Sequence, residues 1–256
     1  MNPARIARRW TTLVLLALLV LPLSAQRGGG GGRGFRNALL RPGATARYDG
    51  RFTLARLYYS MYTGWSFDWP DMESHLNSIV NDLTTIRPQH ELNNVFRMDD
   101  PELMKFPIAY LSEPGYWFPT DAEAEGLRTY LHKGGFLIVD DFHFAEEWAV
   151  FEAAMKQVLP EGRIVRLSIN HPVFNSFFPI KSLDVPYPGR LGQMGLMGEF
   201  FGIYDTDPSQ RLMVVINFNM DIGDYMEHSP SGLYAVAPTN EAYKFGINYL
   251  IYGFTH

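Results

Sequence analysis

The sequence predicts a three-layer α/β fold, a mostly parallel sheet with helices on both faces. Three observations carry this: short, uniformly apolar runs, amphipathic segments alternating with them, and punctuation by caps, glycines and prolines. Phe52-Thr-Leu-Ala-Arg-Leu-Tyr58 reads as the first strand, and after an aromatic loop Leu76, Ile79, Val80 and Leu83 recur at helical spacing. Pro107-Ile-Ala-Tyr-Leu111 is a second strand. Thr120 with Glu123 forms a capping box, Leu127, Tyr130 and Leu131 make an apolar stripe, and Gly134-Gly135 ends that helix. Phe136-Leu-Ile-Val139 follows at once as a strand. Trp148, Phe151, Met155 and Val158 share the next helical face, stopped by Pro160 and Gly162. Arg163–Leu167 and Leu212–Ile216 read as further strands, and a helix from about Asn240 turns Phe245, Tyr249 and Leu250 to the core. Ser168–Gln210 has little regular periodicity, and a loop of that length in a compact domain is usually functional or disordered.

Ahead of this domain, Arg5, Arg8 and Arg9 precede a largely apolar run from Trp10 to Leu21, and Ser24-Ala25 suits a signal peptidase. The run falls short of the ~20 residues that cross a bilayer as a helix. Residues 1–25 are therefore expected to be a signal peptide and the protein to be exported, periplasmic or secreted. An uncleaved anchor is the alternative, since Leu23 is large for the position two before the cut. Residues 26–50, glycine with scattered arginines, read as a flexible linker, and 51–256 as a single domain.

The chain has no cysteine, which excludes disulfides, a lipidated N-terminal cysteine and a thiol nucleophile. It carries 22 Lys+Arg against 27 Asp+Glu, formal charge −5; the leader holds three of the arginines and no acid, so the mature charge is −8. That balance argues against nucleic acid as a partner. No membrane span is expected once the leader is removed. No Walker phosphate loop, Gly-x-Ser-x-Gly elbow or His-Glu-x-x-His helix is present, and Gly192, Gly195 and Gly198 do not form a dinucleotide fingerprint. No cofactor is expected.

In open α/β sheets ligands sit beyond the carboxyl ends of the strands, so the polar residues there are the candidates. Asp140-Asp141-Phe142-His143 follows the strongest strand and can hold a metal, act as acid and base, or bind hydroxyls; a helix cap is the structural alternative. Strand alternation sends Asp140 and Asp141 to opposite sides. Asn217, Asp221 and Asp224 follow the last buried strand and suit an oxygen-ligand cation site or, the preferred reading, a hydrogen-bonded turn. His171, before Pro172, is a candidate ligand or base, while His75, His90, His132 and His228 read as surface residues. The loop Tyr59–Trp69 holds five aromatics, Tyr59, Tyr62, Trp65, Phe67 and Trp69, at least half of which should be buried.

Leu83-Thr-Thr-Ile-Arg87, Asp99-Asp-Pro-Glu102, Tyr110-Leu-Ser-Glu-Pro-Gly115, Leu131-His-Lys-Gly-Gly-Phe-Leu-Ile-Val-Asp-Asp-Phe142, His171-Pro-Val-Phe174, Arg211–Ile216 and Thr255-His256 together resemble a bacterial family, domain of unknown function 4159. The resemblance implies a fold similar to class I glutamine amidotransferases and trehalose-utilisation-type proteins, and adds Glu113, within one of its motifs, to the ligand-binding candidates. The cysteine nucleophile of amidotransferases has no counterpart here. In the family pattern a histidine often stands at the place of Phe218, and Gly-Trp follows the acid where this chain has Tyr225-Met226 after Asp224. The expectation is thus a non-catalytic or vestigial envelope domain binding a small polar ligand, through Asp141, His143, Asn217, Asp221, Asp224 and Glu113. The alternatives are a hydrolase of a glycan or similar substrate, with Asp140, Asp141 and His171 as catalytic candidates and Asp140 and Asp221 as metal ligands, and a scaffold for another envelope protein.

Overall fold

The computed structural model describes residues 48–60, 62–89, 94–204 and 210–256; the expected leader and most of the expected linker lie outside them. One seven-stranded sheet runs through the molecule: β1 (Ala55–Tyr58), β2 (Val95–Arg97), β3 (Ile108–Ser112), β4 (Phe136–Phe142), β5 (Ile164–Arg166), β6 (Glu199–Tyr204) and β7 (Leu212–Phe218), in the order β2-β1-β3-β4-β7-β6-β5. The first five in that order are parallel; β6 runs antiparallel to them, and β5, antiparallel to β6, forms the edge.

Helices cover both faces, as a parallel sheet of apolar strands requires. Alternation along β3 sends Ile108 and Tyr110 to one side and Ala109 and Leu111 to the other. The first side is packed by α1 (Asp71–Leu83), α5 (Ile222–Glu227) and α6 (Val236–Thr255), through Leu76, Val80, Met226 and Phe245 among others. The second is packed by α2 (Asp121–His132) and α3 (Phe144–Val158), through Leu127, Leu131, Phe151 and Met155. A one-turn helix, α4 (Gly189–Gln193), sits in the long connection between β5 and β6.

The capping box at α2 is formed: Thr120 Oγ1 accepts from the Glu123 amide at 3.2 Å, and Glu123 Oε2 accepts from the Thr120 amide at 2.9 Å. Beyond its C-terminus Gly134 adopts φ +108°, which lets the chain reverse into β4.

Several boundaries differ from expectation. β1 begins at Ala55 rather than Phe52, which makes only an isolated bridge to Pro88. The three-residue β2 is too short to show a period, and β6 lies inside the stretch read as aperiodic, where Gly202 interrupts its apolar pattern. α6 starts at Val236, because Pro238 falls in the first turn, where no backbone N–H is needed. Among the described residues no helix is long and apolar enough to cross a membrane.

Candidate ligand-binding site

Four non-glycine residues among those described have positive φ: Glu113 (52°), Asp141 (58°), Phe144 (64°) and Asn219 (53°). All four lie at or just past the carboxyl ends of β3, β4 and β7, the central strands. Such conformations cost free energy and collect where the backbone must aim a side chain.

Beneath them lies a buried polar network. Asp140, 0 % exposed, accepts three hydrogen bonds: from Tyr110 Oη at 2.5 Å, Asn217 Nδ2 at 2.9 Å and the Gly223 amide at 3.0 Å. Tyr249 Oη donates to Asn217 Oδ1 at 2.7 Å, fixing the amide's orientation. Beside it, Arg56 on β1 pairs with Asp68 at 3.0 Å and Glu73 at 2.8 Å, with its guanidinium 4.5 Å from the centre of the Tyr110 ring. Burial opposes the charge on Arg56, but the two carboxylates more than offset it and hold the guanidinium above its ordinary pKa. Burial pushes Glu73 up, against Arg56. Gly223 is required by this packing: a Cβ there would lie 2.1 Å from Asp68 Oδ2 and 2.8 Å from Tyr110 Oη.

Above the network the acids lack such compensation. The alternation of β4 breaks between Val139 and Phe142, so Phe142 returns to the α2/α3 face and Asp141 is turned out at the strand end. Asp140 and Asp141 take different partners, but through this irregularity rather than through the regular alternation expected, and the charge of Asp140 still bears on Asp141. Asp141, 8 % exposed, accepts a hydrogen bond from Tyr187 Oη at 3.0 Å, and its amide donates to Met220 O at 3.1 Å. Burial drives its pKa well above the usual carboxylate range, and Glu113, Asp68, Asp140 and Asp224 push the same way. Asp221 is held up by burial and by Asp141, Asp224 and Asp140, although its Oδ1 accepts from the Asp224 amide at 2.7 Å and so caps α5. Asp140 is pushed up to about 7 by burial, against its three hydrogen bonds. Burial, then Glu113 and Asp141, raise the Tyr59 phenol, which donates to Ser112 O and Glu113 O.

The carboxyl edge thus gathers Glu113, Asp140, Asp141, Asn217, Asp221 and Asp224. Asp140 and Asn217 are fully buried and hydrogen-bonded to each other; Asp141 and Asp221, slightly exposed, and Asp224, partly open, form the outer layer. His143 joins them, its amide donating to Glu147 Oε2 at 2.7 Å and its ring meeting Tyr187 at 5.2 Å and Phe144 at 4.6 Å. Phe144 in turn borders an apolar hollow of about 310 Å³ lined by Trp148, Leu196, Phe201 and Phe218. His171 is elsewhere. Its Nδ1 accepts from the Val173 amide at 3.1 Å, and its ring packs near Tyr204 and Tyr252, by the start of β7 at the opposite edge of the sheet.

The sequence match comes from this same domain. A family model described as Domain of unknown function (DUF4159) matches residues 53–254. The chain belongs to this family. No curated protein matches it.

Within this DUF4159 domain, sequence reasoning passed over Arg56, Asp68, Tyr110, Tyr187, Gly223 and Tyr249. One signal was present: an arginine inside an apolar strand must find buried acids. Tyr187 lies in the aperiodic connection and gave none. Two histidines read as surface residues are half-buried: His75 Nδ1 lies 2.9 Å from Met226 O, and His228 faces Asp224 and Glu227. In the aromatic loop Tyr59, Trp65 and Trp69 are buried, while Tyr62 and Phe67 are partly open. Chemically, an edge of largely buried carboxylates, met by the phenols of Tyr110, Tyr187 and Tyr234, can accept further hydrogen bonds from hydroxyls or ammonium groups, or surround a cation.

Proposed function

We propose that this DUF4159 domain binds a small polar ligand bearing positive charge or hydroxyl donors at the carboxyl edge of its sheet, without acting on it. The observation that carries this reading is Asp141. It is strained, nearly buried and crowded by like charges, and the hydrogen bond from Tyr187 is its one side-chain donor among the described residues. A carboxylate so placed is costly unless protonated or met by a donor or a cation. Among the described residues, the one fully buried cationic side chain, Arg56, is already engaged by Asp68 and Glu73.

The proposal extends to address and ancestry. The basic, apolar and small-residue order of the first 25 residues supports export to the cell envelope. A vestigial amidotransferase-like scaffold agrees with the absence of cysteine, since the chemistry of that class needs the thiol. A second reading, hydrolysis of a glycan or similar polar substrate, draws on the same residues, because a carboxyl held protonated by its surroundings is what a general acid requires.

Thermal unfolding of the full chain at pH 8 with chelator present, with and without glucosamine or putrescine, tests the binding reading. A raised midpoint in the wild type that Asp141→Asn abolishes is expected. No shift in the wild type, or the same shift in both proteins, refutes it, and in that case a protein-docking scaffold becomes the better account. Release of a reducing end from a glycan substrate would instead favour the hydrolase.

A further inference from the structure

Asp224, Glu227 and His228 stand at the end of α5, at i, i+3 and i+4, which puts them on one side of the helix. One donor atom from each lies within 4.8 Å of the others. His228 Nε2 is 3.3 Å from Asp224 Oδ1 and 3.7 Å from Glu227 Oε2. A zinc-like ion holds nitrogen and oxygen ligands at about 2.0–2.2 Å, so neighbouring ligands in a tetrahedral shell sit about 3.4 Å apart. The two spacings bracket that value.

An ordinary helical ion pair accounts for part of this, but not all. A protonated Nε2 has one hydrogen to give, and here two carboxylates converge on the same nitrogen. That is the arrangement an ion between them would satisfy. The Tyr234 phenol donates to Asp224 Oδ2, so Asp224 presents its other oxygen to His228; outer partners of this kind orient metal ligands. Asp71 adds negative charge to both Glu227 and His228. The side chains of His228 and Asp224 are 28 % and 27 % exposed, leaving a side open to water.

We propose that Asp224, Glu227 and His228 form a binding site for a divalent transition-metal ion of the zinc class. One imidazole and two carboxylates suit such ions, whereas Ca²⁺ and Mg²⁺ favour shells of six or more oxygens. The site shares Asp224 with the outer layer of acids around Asp141, whereas Glu227 and His228 lie outside that layer.

Calorimetric titration of Zn²⁺ into the full chain, after treatment with chelator and its removal, tests the assignment. One site per chain is expected, with H228A and E227Q each weakening it about tenfold or more, and Y234F weakening it less, as an outer partner does. H228A should leave the midpoint shift produced by glucosamine or putrescine intact, which separates this outcome from that of the cleft. Co²⁺ should give the intense visible absorption of a tetrahedral site in the wild type and lose it in H228A. Circular dichroism of each variant establishes that it is folded; should H228A not fold, E227Q carries the test. Absence of Zn²⁺ binding to the wild type, undiminished binding to folded H228A or E227Q, or Ca²⁺ binding as tight as Zn²⁺ would overturn the proposal.

Discussion

Tyr187 donates its phenolic hydrogen bond to Asp141 at 3.0 Å, joining the long connection before β6 to the end of β4. The contact spans 46 residues of chain and holds in place a carboxylate that its surroundings disfavour.

Asp141→Asn should therefore stabilise the folded protein. Asparagine keeps an oxygen for Tyr187, tolerates the left-handed backbone at φ 58° better than most side chains, and removes one charge from a crowd of acids. A higher denaturation midpoint is expected, alongside loss of ligand response. Urea unfolding of both proteins measures it; a clear loss of stability would show that the ionised carboxylate holds the fold.

Stability should fall as pH rises from about 4 to about 7. The reason lies in Asp140, which is pushed from 3.8 to about 7 in the folded state by burial, with Asp141 and Asp221 raised in the same direction. In that window the folded protein holds more protons than the unfolded chain, so the contribution is complete below the ordinary carboxylate pKa and is lost as pH climbs through the folded value. His171, lowered by burial and by His256, works the other way. Melting temperatures across pH 4 to 8 are the check; a curve rising monotonically with pH would contradict the raised carboxyls.

Arg56→Ala should cost about 3–5 kcal/mol, because it leaves Asp68 and Glu73 buried without their cation. Gly223→Ala should cost about 1–3 kcal/mol through its clash with Asp68 and Tyr110. Denaturant midpoints read both. A neutral Gly223→Ala would mean that α5 can shift without disturbing Asp140.

Export predicts a mature N-terminus at Gln26, found by mass spectrometry of the protein recovered from a soluble envelope fraction. Met1 retained on a membrane-integral protein would exclude cleavage.

The fold was legible where one local rule sufficed. Phe136–Val139 needs apolar cover on both faces, and Thr120 with Glu123 announces a helix start. It was not legible where neighbours decide: nothing in Glu199–Tyr204 says that it runs antiparallel beside β7. The site divides in the same way. Asp141, Asp221 and Asp224 show themselves as acids at strand ends, because α/β sheets present ligands there. Which acid is satisfied and which is exposed depends on Tyr110, Tyr187 and Gly223, brought in by strand order and loop path. Periodicity carries no record of either.

β7 fills the middle of the sheet yet is made after β4, β5 and β6. A ribosome that has delivered the chain through β6 has delivered β4 with one edge unpaired, and Asp140 with Tyr110 but without Asn217, 77 residues further on, or Gly223. An open central edge beside an unsatisfied carboxylate is a sticky and poorly folded surface. Growth of the nascent chain therefore cannot complete the domain piece by piece. The sheet stays incomplete until residues 212–256 emerge, and then closes in one cooperative step.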